Sequence, residues 1–258
     1  LLGQSSCDVE AVSIASVGAE SYGLIGLNWV VMKGNSTSSY WSSGTGGDGK
    51  LGNVASNGNI TLTNGATING NARSYGGTVS GGTISGSTSP LTAPLVFPPG
   101  DAGIYATSND NNQIPNWAKQ GNRLVLGRNQ SLVAPGGNYY FKEVTTGTGS
   151  SLTFSGPTTL YCWGTFSMTS QTTTDSSLPK NLKIVMCTGP TGQTPGSLTI
   201  NAGAALYADI YAPQSAVSIS GKGDIYGSVL GLTVSMSGTG EIHYDLSLKG
   251  TGNIVMVK

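Results

Sequence analysis

The chain has 258 residues, of which 40 are glycine and only 9% are charged, and its 12 Lys and Arg balance 12 Asp and Glu. This neutral charge argues against nucleic-acid binding and against a polybasic membrane anchor, because both need an excess of Lys and Arg. With 37% hydrophobic residues the chain can bury a core, and its high glycine content is typical of an all-β surface protein.

The N-terminal residues 1–45 are predicted to form a cap at one end of a single elongated domain, residues 46–258. Short strands are expected near Val12 and Ile14 and over 28–32, with a helix over 8–19 as an alternative. The most apolar stretch, 9–32, contains two glutamates and several glycines, so no membrane span is predicted in this chain. The chain does not open with a signal peptide, and we expect its start to be a processing or trimming site.

An internal repeat is the most informative feature of the sequence. Residues 217–226 align without a gap with residues 234–243, which lie 17 positions further on. The same pattern recurs at 60–69, 152–161 and 198–207. It consists of an apolar residue, Ser or Thr, an apolar residue, a polar residue, a turn with glycine, and a second short strand. Such short strands cannot bury their apolar faces alone, whereas stacked equivalent units can.

The repeat therefore predicts a parallel β-solenoid, or β-helix, whose interior contains three columns of apolar side chains. An antiparallel sandwich is the alternative, but its strands would not repeat at the length of one coil. The predicted columns are Leu152, Leu198, Val217 and Val234; Phe154, Ile200, Ile219 and Met236; and Leu160, Leu206, Ile225 and Ile242. The strand alternation also predicts an outward aromatic ladder that acts as a surface contact, formed by Tyr161, Tyr207, Tyr226 and His243.

The segments between the repeats are predicted to be loops. Residues 34–58, 87–121 and 170–178 are rich in Gly, Pro, Ser and Thr, and the proline-rich 87–120 is expected to leave the solenoid as a long excursion. The polar run 108–113 lacks the spacing of a calcium loop and is interpreted as a polar turn. Residues 252–258 are predicted to form a final strand.

The three cysteines, Cys7, Cys162 and Cys187, fit neither a zinc site nor a redox motif by their spacing. One disulfide and one further thiol are expected, and Cys162–Cys187 is the preferred pair. The alternative is that Cys162 is a small buried hydrophobic residue. No metal and no cofactor is predicted.

Two parts of the sequence resemble a known family. The first comprises residues 22–36, which begin Tyr-Gly-Leu-Ile-Gly-Leu-Asn-Trp, and residues 55–70. The second runs from Leu206-Tyr-Ala-Asp-Ile-Tyr-Ala-Pro213 to 237–245. Together they look like the β-helical domain of bacterial pilus-assembly (Tad/PilX-like) envelope proteins, and they are similar in texture to polymer-forming bactofilin-like solenoids. The resemblance implies a structural or appendage role in the envelope and supplies no catalytic residues.

Two other functions stay open at this stage. A polysaccharide-acting β-helix needs clustered carboxylates. The best candidates are His243, Asp209, Asp224, Glu241 and Asp245, with Asp224 and Glu241 expected on neighbouring coils. A stacking role for the histidine and solvated positions for the acids are the simpler interpretation.

A glycan-binding module would use exposed aromatic side chains. The candidates for this role are Trp41, Tyr161, Tyr207 and Tyr226. A short threonine row within 61–67 also suggests an ice- or carbohydrate-binding face, but a regular row over many coils would be required.

The sequence as a whole predicts a non-catalytic structural or scaffold subunit of a bacterial cell surface or appendage, with self-assembly as an expected property. Its partners would be like subunits or other envelope and pilus proteins, or glycans in the alternative case. The expected location is extracellular or in the cell envelope.

Overall fold

The computed structural model describes residues 16–17, 20–42, 49–169, 171–174, 176–203 and 205–249. Within these ranges the protein is all-β and has no α-helix, which confirms the predicted class. The strands are β1 (Ser16–Val17), β2 (Glu20–Ser21), β3 (Leu24–Lys33), β4 (Ser36–Tyr40), β5 (Val54–Ser56), β6 (Ile60–Ile68), β7 (Ala72–Ser74), β8 (Val79–Ile84), β9 (Lys119–Gln120), β10 (Arg123–Leu126), β11 (Ser131–Ala134), β12 (Gly137–Thr146), β13 (Ser151–Phe154), β14 (Thr158–Met168), β15 (Gln171–Thr174), β16 (Leu182–Met186), β17 (Leu198–Ala202), β18 (Leu206–Gly221), β19 (Ile225–Ser237) and β20 (Ile242–Asp245). Short 3-10 helices cover Gly103–Ala106, Asn111–Gln113, Pro179–Asn181 and Leu246–Leu248.

Parallel pairing dominates the structure. Among the described strands, only the pairs β1–β2 and β9–β10 are antiparallel. Five strands, in the order β3, β6, β4, β20 and β19, pair in a closed parallel ring, and further strands are bonded outside this barrel. Strands β11, β13 and β15 form a separate parallel sheet. All three segments predicted to be loops contain strands, namely β4 and β5, β9, and β15, so that prediction is wrong for these strands.

Apolar side chains lie over one another in rows that run from strand to strand. One row passes through Phe166, Leu198, Val217, Val234, Val30, Ile60 and Val79. A second passes through Met168, Ile200, Ile219, Met236, Met32 and Leu62. A third passes through Leu206, Ile225, Ile242, Thr37, Ile68 and Ile84. These positions form one continuous core because consecutive strands pair in register.

The predicted columns are confirmed in three of their four members each. The first member of each column is wrong. Leu152 and Phe154 pair with β11 and β15 in the separate sheet, and Leu160 pairs with Ile184. The physical reason is that the same apolar-Thr-apolar pattern occurs in strands of both parallel sheets. The pattern alone therefore does not show which strands pair with one another. The residues that pair directly with Leu198 and Ile200 on this side are Phe166 and Met168, at the end of β14.

The described part of the predicted N-terminal cap is an interior part of the stack. Strands β3 and β4 pair with β19 and β20 on one side and with β5 and β6 on the other. The prediction of a cap is therefore wrong for residues 24–40, because the chain enters the stack in the middle. The predicted helix over 8–19 and the predicted strand over 252–258 lie outside the described residues, apart from Ser16 and Val17 in β1.

The two ends of the stack differ, because another segment covers the β10 end and strand β8 itself forms the opposite end. At the β10 end, Ile114 and Ala118 are buried in the same core cluster as Leu124, and the Ala118 carbonyl accepts from the Val125 amide at 2.8 Å. At the β8 end, Gly81 and Gly82 adopt positive φ values of +74° and +53°, and their backbone lies directly on Leu62. The β10 end is therefore covered, whereas β8 pairs only with β6 and its residues are exposed or half-buried, so this glycine-rich strand is itself the outer layer at the other end.

Residues 87–118, here called the strap, run along the outside of the stack from the β7 end to the β10 end. The Leu91 amide donates to the Ser74 carbonyl, and the Tyr211 hydroxyl donates to the Pro98 carbonyl at 2.6 Å. The Asn111 side chain pairs with the Tyr140 backbone through both its amide and its carbonyl, at 2.5 and 2.9 Å. The polar run 108–113 thus fastens the strap to β12.

The glycine pair at the β8 end generates a stability prediction. A Cβ on residue 82 would lie 2.5 Å from the Cβ of Leu62, so we expect Gly82→Ala to lower the free energy of unfolding by about 3 kcal/mol. Gly65 is the matched control, since it also has a positive φ, +78°, but has open space around it. Gly65→Ala should cost only about 1 kcal/mol. Urea unfolding measures both values, and equal costs would show that Gly82 does not pack on the core.

An ionic contact holds residues 20–22 against β7. The Arg73 guanidinium contacts both carboxylate oxygens of Glu20, at 2.7 and 2.5 Å, and Tyr22 and Asn71 also donate to this carboxylate. The hydrogen bond from Arg73 is the main cause that holds the pKa of Glu20 below its ordinary value of 4.5. The contact therefore stabilises the fold while Glu20 is ionised.

This contact predicts a loss of stability in acid. Because the folded-state pKa of Glu20 is lowered, its contribution is fully present above the ordinary pKa of 4.5 and is lost as the pH falls through the folded value. In Glu20→Gln the urea midpoint of unfolding should fall less steeply as the pH is lowered through that window. Glu143→Gln is the control, since Glu143 pairs with an exposed guanidinium, Arg123, and should contribute little. An unchanged acid profile in Glu20→Gln would contradict the assignment.

Candidate interaction surface

An aromatic ladder lies on the outside of three consecutive strands. The rings of Tyr207 and Tyr226 stack with centroids 4.7 Å apart and an interplanar angle of 11°, and Tyr226 stacks on His243 at 4.6 Å and 23°. The ladder follows from the register, since the three residues are direct partners on β18, β19 and β20. The prediction of stacked outward rings is confirmed for these three residues.

Strand β4 completes the ladder with two residues that the sequence did not single out. Ser38 is the register partner of His243, and its hydroxyl lies 2.6 Å from the Nδ1 atom of the imidazole. The ring of Tyr40 meets Tyr226 edge-on, with centroids 5.3 Å apart. These residues were missed because β4 has Thr37 and Ser39 at its buried positions and so lacks the apolar alternation of a strand.

Tyr161 does not belong to this ladder. Its register partner is Val185, and its ring stacks on Tyr105 of the strap with centroids 5.7 Å apart. The prediction for Tyr161 is wrong for the same reason as for Leu160. This part of β14 pairs with β16 and not with the start of β18, where Tyr207 lies. The surface defined by Tyr207, Tyr226, His243, Ser38 and Tyr40 is called the aromatic ladder below.

Two carboxylates accompany the imidazole. The Nε2 atom of His243 lies 3.7 Å from Asp224 Oδ2 and 3.8 Å from Glu241 Oε2. The Glu241 amide donates to Asp224 at 3.0 Å, which confirms that these acids lie on neighbouring strand levels. Burial, followed by the negative charge of Asp224, raises the pKa of Tyr226, so its phenol stays neutral over the physiological range.

The other two acids of the predicted group lie elsewhere. Asp245 is fully buried and accepts four hydrogen bonds, two from Ser42 and two from Ser247. Asp209 is buried and accepts from the Ser228 hydroxyl. Asp245 therefore fixes the chain after β4 to the end of β20, and the four acids do not converge on one site.

The cysteines do not form the predicted disulfide. Cys162 and Cys187 are both free thiols, and both are buried. Cys162 lies among the core residues, opposite Met186, whereas Cys187 comes one position later and faces the cluster under the strap. Neighbouring residues in a strand face opposite sides of the sheet, which separates the two sulfur atoms. Burial raises the pKa of each thiol to about 12, and Cys7 lies outside the described residues.

Among the residues that the structure describes, no group of three or more His, Cys, Asp or Glu side chains could hold a metal ion. No helix in the same part of the chain is long and apolar enough to cross a membrane.

One family matches part of the chain. The family model described as "Domain of unknown function (DUF7305)" matches residues 146–251, which is less than half of the sequence and contains β13 to β20. Searches of the curated proteins and of the solved structures give no match. The matched segment contains Tyr207, Tyr226 and His243 of the aromatic ladder, while Ser38 and Tyr40 come from outside it.

The ladder predicts a measurable contribution to stability. Tyr226 touches three rings, so Tyr226→Ala should lower the free energy of unfolding by about 2 kcal/mol, whereas Tyr226→Phe should keep nearly all of it. Urea unfolding followed by circular dichroism measures the two variants. A loss in Tyr226→Phe as large as in Tyr226→Ala would mean that the hydroxyl, and not the stacked ring, is responsible.

Proposed function

We propose that the protein is a non-catalytic structural subunit of a bacterial cell surface or appendage, and that its parallel layers are the coils of a β-solenoid. The observation that carries the proposal is the continuous register from β10 to β8, in which every level adds a strand to the same parallel ladder. Such a ladder makes a stiff scaffold, because each backbone hydrogen bond is supported by the levels above and below it.

The outer surface supports a contact role in place of a catalytic one. In the aromatic ladder the rings cover one another's faces and present their edges and polar atoms to the outside. A cleft lined by Tyr22, Asp209 and Ser228 has room for about one water molecule, far below the roughly 300–1,000 Å³ of common small-molecule sites. An aromatic and acidic strip of this kind suits a flat protein partner, including another copy of the chain.

Glycan binding is the second candidate, and one observation favours it. Trp41 is 46% exposed and directly follows Tyr40 of the ladder. Carbohydrate rings bind to solvent-exposed aromatic side chains, so the partly exposed Trp41 fits this role better than the mutually stacked rings of Tyr207 and Tyr226. In the third candidate, a polysaccharide-acting enzyme, Asp224 and Glu241 would act beside His243.

One set of assays separates these candidates. For the structural role we expect folded protein to associate reversibly as its concentration rises, seen by light scattering and electron microscopy, and Tyr226→Ala to weaken this association. Tyr75→Ala is the control, because Tyr75 is an exposed aromatic residue that is not in the ladder.

Other results would contradict the proposal. A protein that stays monomeric and binds glycans saturably, with the binding lost in Trp41→Ala, would establish the glycan-binding module. Release of product from an acidic polysaccharide, abolished in Asp224→Asn, would establish an enzyme.

A further inference from the structure

The order of the strands in the stack differs from their order in the chain. From end to end the main ladder runs β10, β12, β14, β17, β18, β19, β3, β6 and β8. The stack therefore has an N-terminal part, the described residues of 20–86, and a C-terminal part, the described residues of 119–249. The two parts meet where β19 and β20 contact β3 and β4, a contact called the junction below.

The junction is extensive. Strand β19 pairs with β3 at eight positions and β20 pairs with β4 at four. Side chains add to these pairings, since the Asn35 amide donates to the carbonyls of Gly238 and Gly240, and Ser42 donates to Asp245. The apolar residues on both sides of the junction, Val30 and Met32 against Val234 and Met236, are completely buried.

Each part has one end that needs a partner. The far end of the N-terminal part is the exposed, glycine-rich strand β8, and the far end of the C-terminal part is covered by Ile114 and Ala118. If the two parts separate, each exposes one unpaired parallel edge with an apolar interior, and the two edges are complementary. Such an edge pairs with whatever complementary edge is available.

Within the described residues, the strap is the only covalent connection between the two parts, and it crosses the junction over a few residues. Leu95 is hydrogen-bonded to Asn57 in the N-terminal part, at 2.6 and 2.8 Å, and the Pro98 carbonyl accepts from Tyr211 in the C-terminal part. Val96, between these two anchors, is 56% exposed. Because the Phe97 ring already packs against Tyr211, Val96 is the place where a change of backbone direction would send the N-terminal part to a different molecule.

We propose that the junction also forms between two copies of this chain, so that β3 and β4 of one copy complete β19 and β20 of another. The exchange re-forms the contacts that the monomer already has, so its additional free-energy cost is the entropy lost on association. Exchange of a complete element is therefore a low-cost route to oligomers. Reciprocal exchange gives a closed dimer. Serial exchange, in which each copy donates to the next, gives an open chain whose length increases with concentration.

A disulfide across the junction tests the exchange. Lys33 and Ser237 are register partners at the junction, and the spacing of neighbouring strands, about 4.8 Å, lies within the Cα separation of disulfides. Two full-length proteins carry Cys7→Ser together with either Lys33→Cys or Ser237→Cys. They are unfolded, mixed, refolded at high concentration and oxidised. We expect a disulfide-linked heterodimer whose yield rises with concentration.

The controls make each outcome decisive. Ser218 is exposed and lies two levels away from Lys33 in the stack, so the pair Lys33→Cys and Ser218→Cys should give several-fold less heterodimer. A single chain with both Lys33→Cys and Ser237→Cys should close its disulfide internally when refolded at low concentration. If it closes internally while the mixed single variants stay monomeric, the exchange does not occur. If it does not close, the junction itself is wrong.

This outcome is independent of the proposed function. Association of folded molecules through the aromatic ladder is reversible, needs no refolding and does not bring position 33 of one chain next to position 237 of another. Exchange requires separation of the two parts, so it is slow, and it makes these two positions of different chains register partners.

Discussion

The register of the parallel ladder is the constraint on which the rest of this structure depends. Each interior strand satisfies its backbone hydrogen bonds with the strands directly before and after it in the stack, and its inward side chains pack on their register partners. The most consequential of these pairings joins β19 to β3, because it connects residues about 200 positions apart and unites the two parts of the chain. Without that pairing, two apolar edges would be open.

Side chains with amide groups extend the ladder where the backbone turns away. The side-chain carbonyl of Asn53 accepts from the backbone amide of Asn71, and the side-chain carbonyl of Asn71 accepts from the backbone amide of Ser87. These two bonds join the corners of three successive turns of the chain. Asn57 binds the strap backbone at Leu95, and Asn111 of the strap binds the backbone of Tyr140, each in the manner of a neighbouring strand. A chain with few charged residues thus satisfies its corners with neutral hydrogen bonds and needs few ion pairs.

The sequence predicted the part of the stack that follows chain order and failed where chain order breaks. The ungapped repeat of 217–226 and 234–243 correctly placed Val217 next to Val234, and Tyr226 next to His243. Nothing local in residues 24–33 indicates that Val30 packs on Val234, because the junction depends on complementary edges and not on a repeat. The pattern at 152–161 matched the repeat but belongs to another side of the layer. The disulfide failed for a related reason, since a shift of one residue reverses the direction of a side chain.

The distance between the outer ends of the stack tests this arrangement most directly. Val125 and Ser80 belong to the same outward row and are separated by eight register steps through β12, β14, β17, β18, β19, β3 and β6. Spin labels on cysteines at these two positions should give a pulsed-resonance distance of about 38 Å, at about 4.8 Å per step. If the layers followed chain order, β10 would lie next to β8, and a distance of about 5–10 Å would contradict the account.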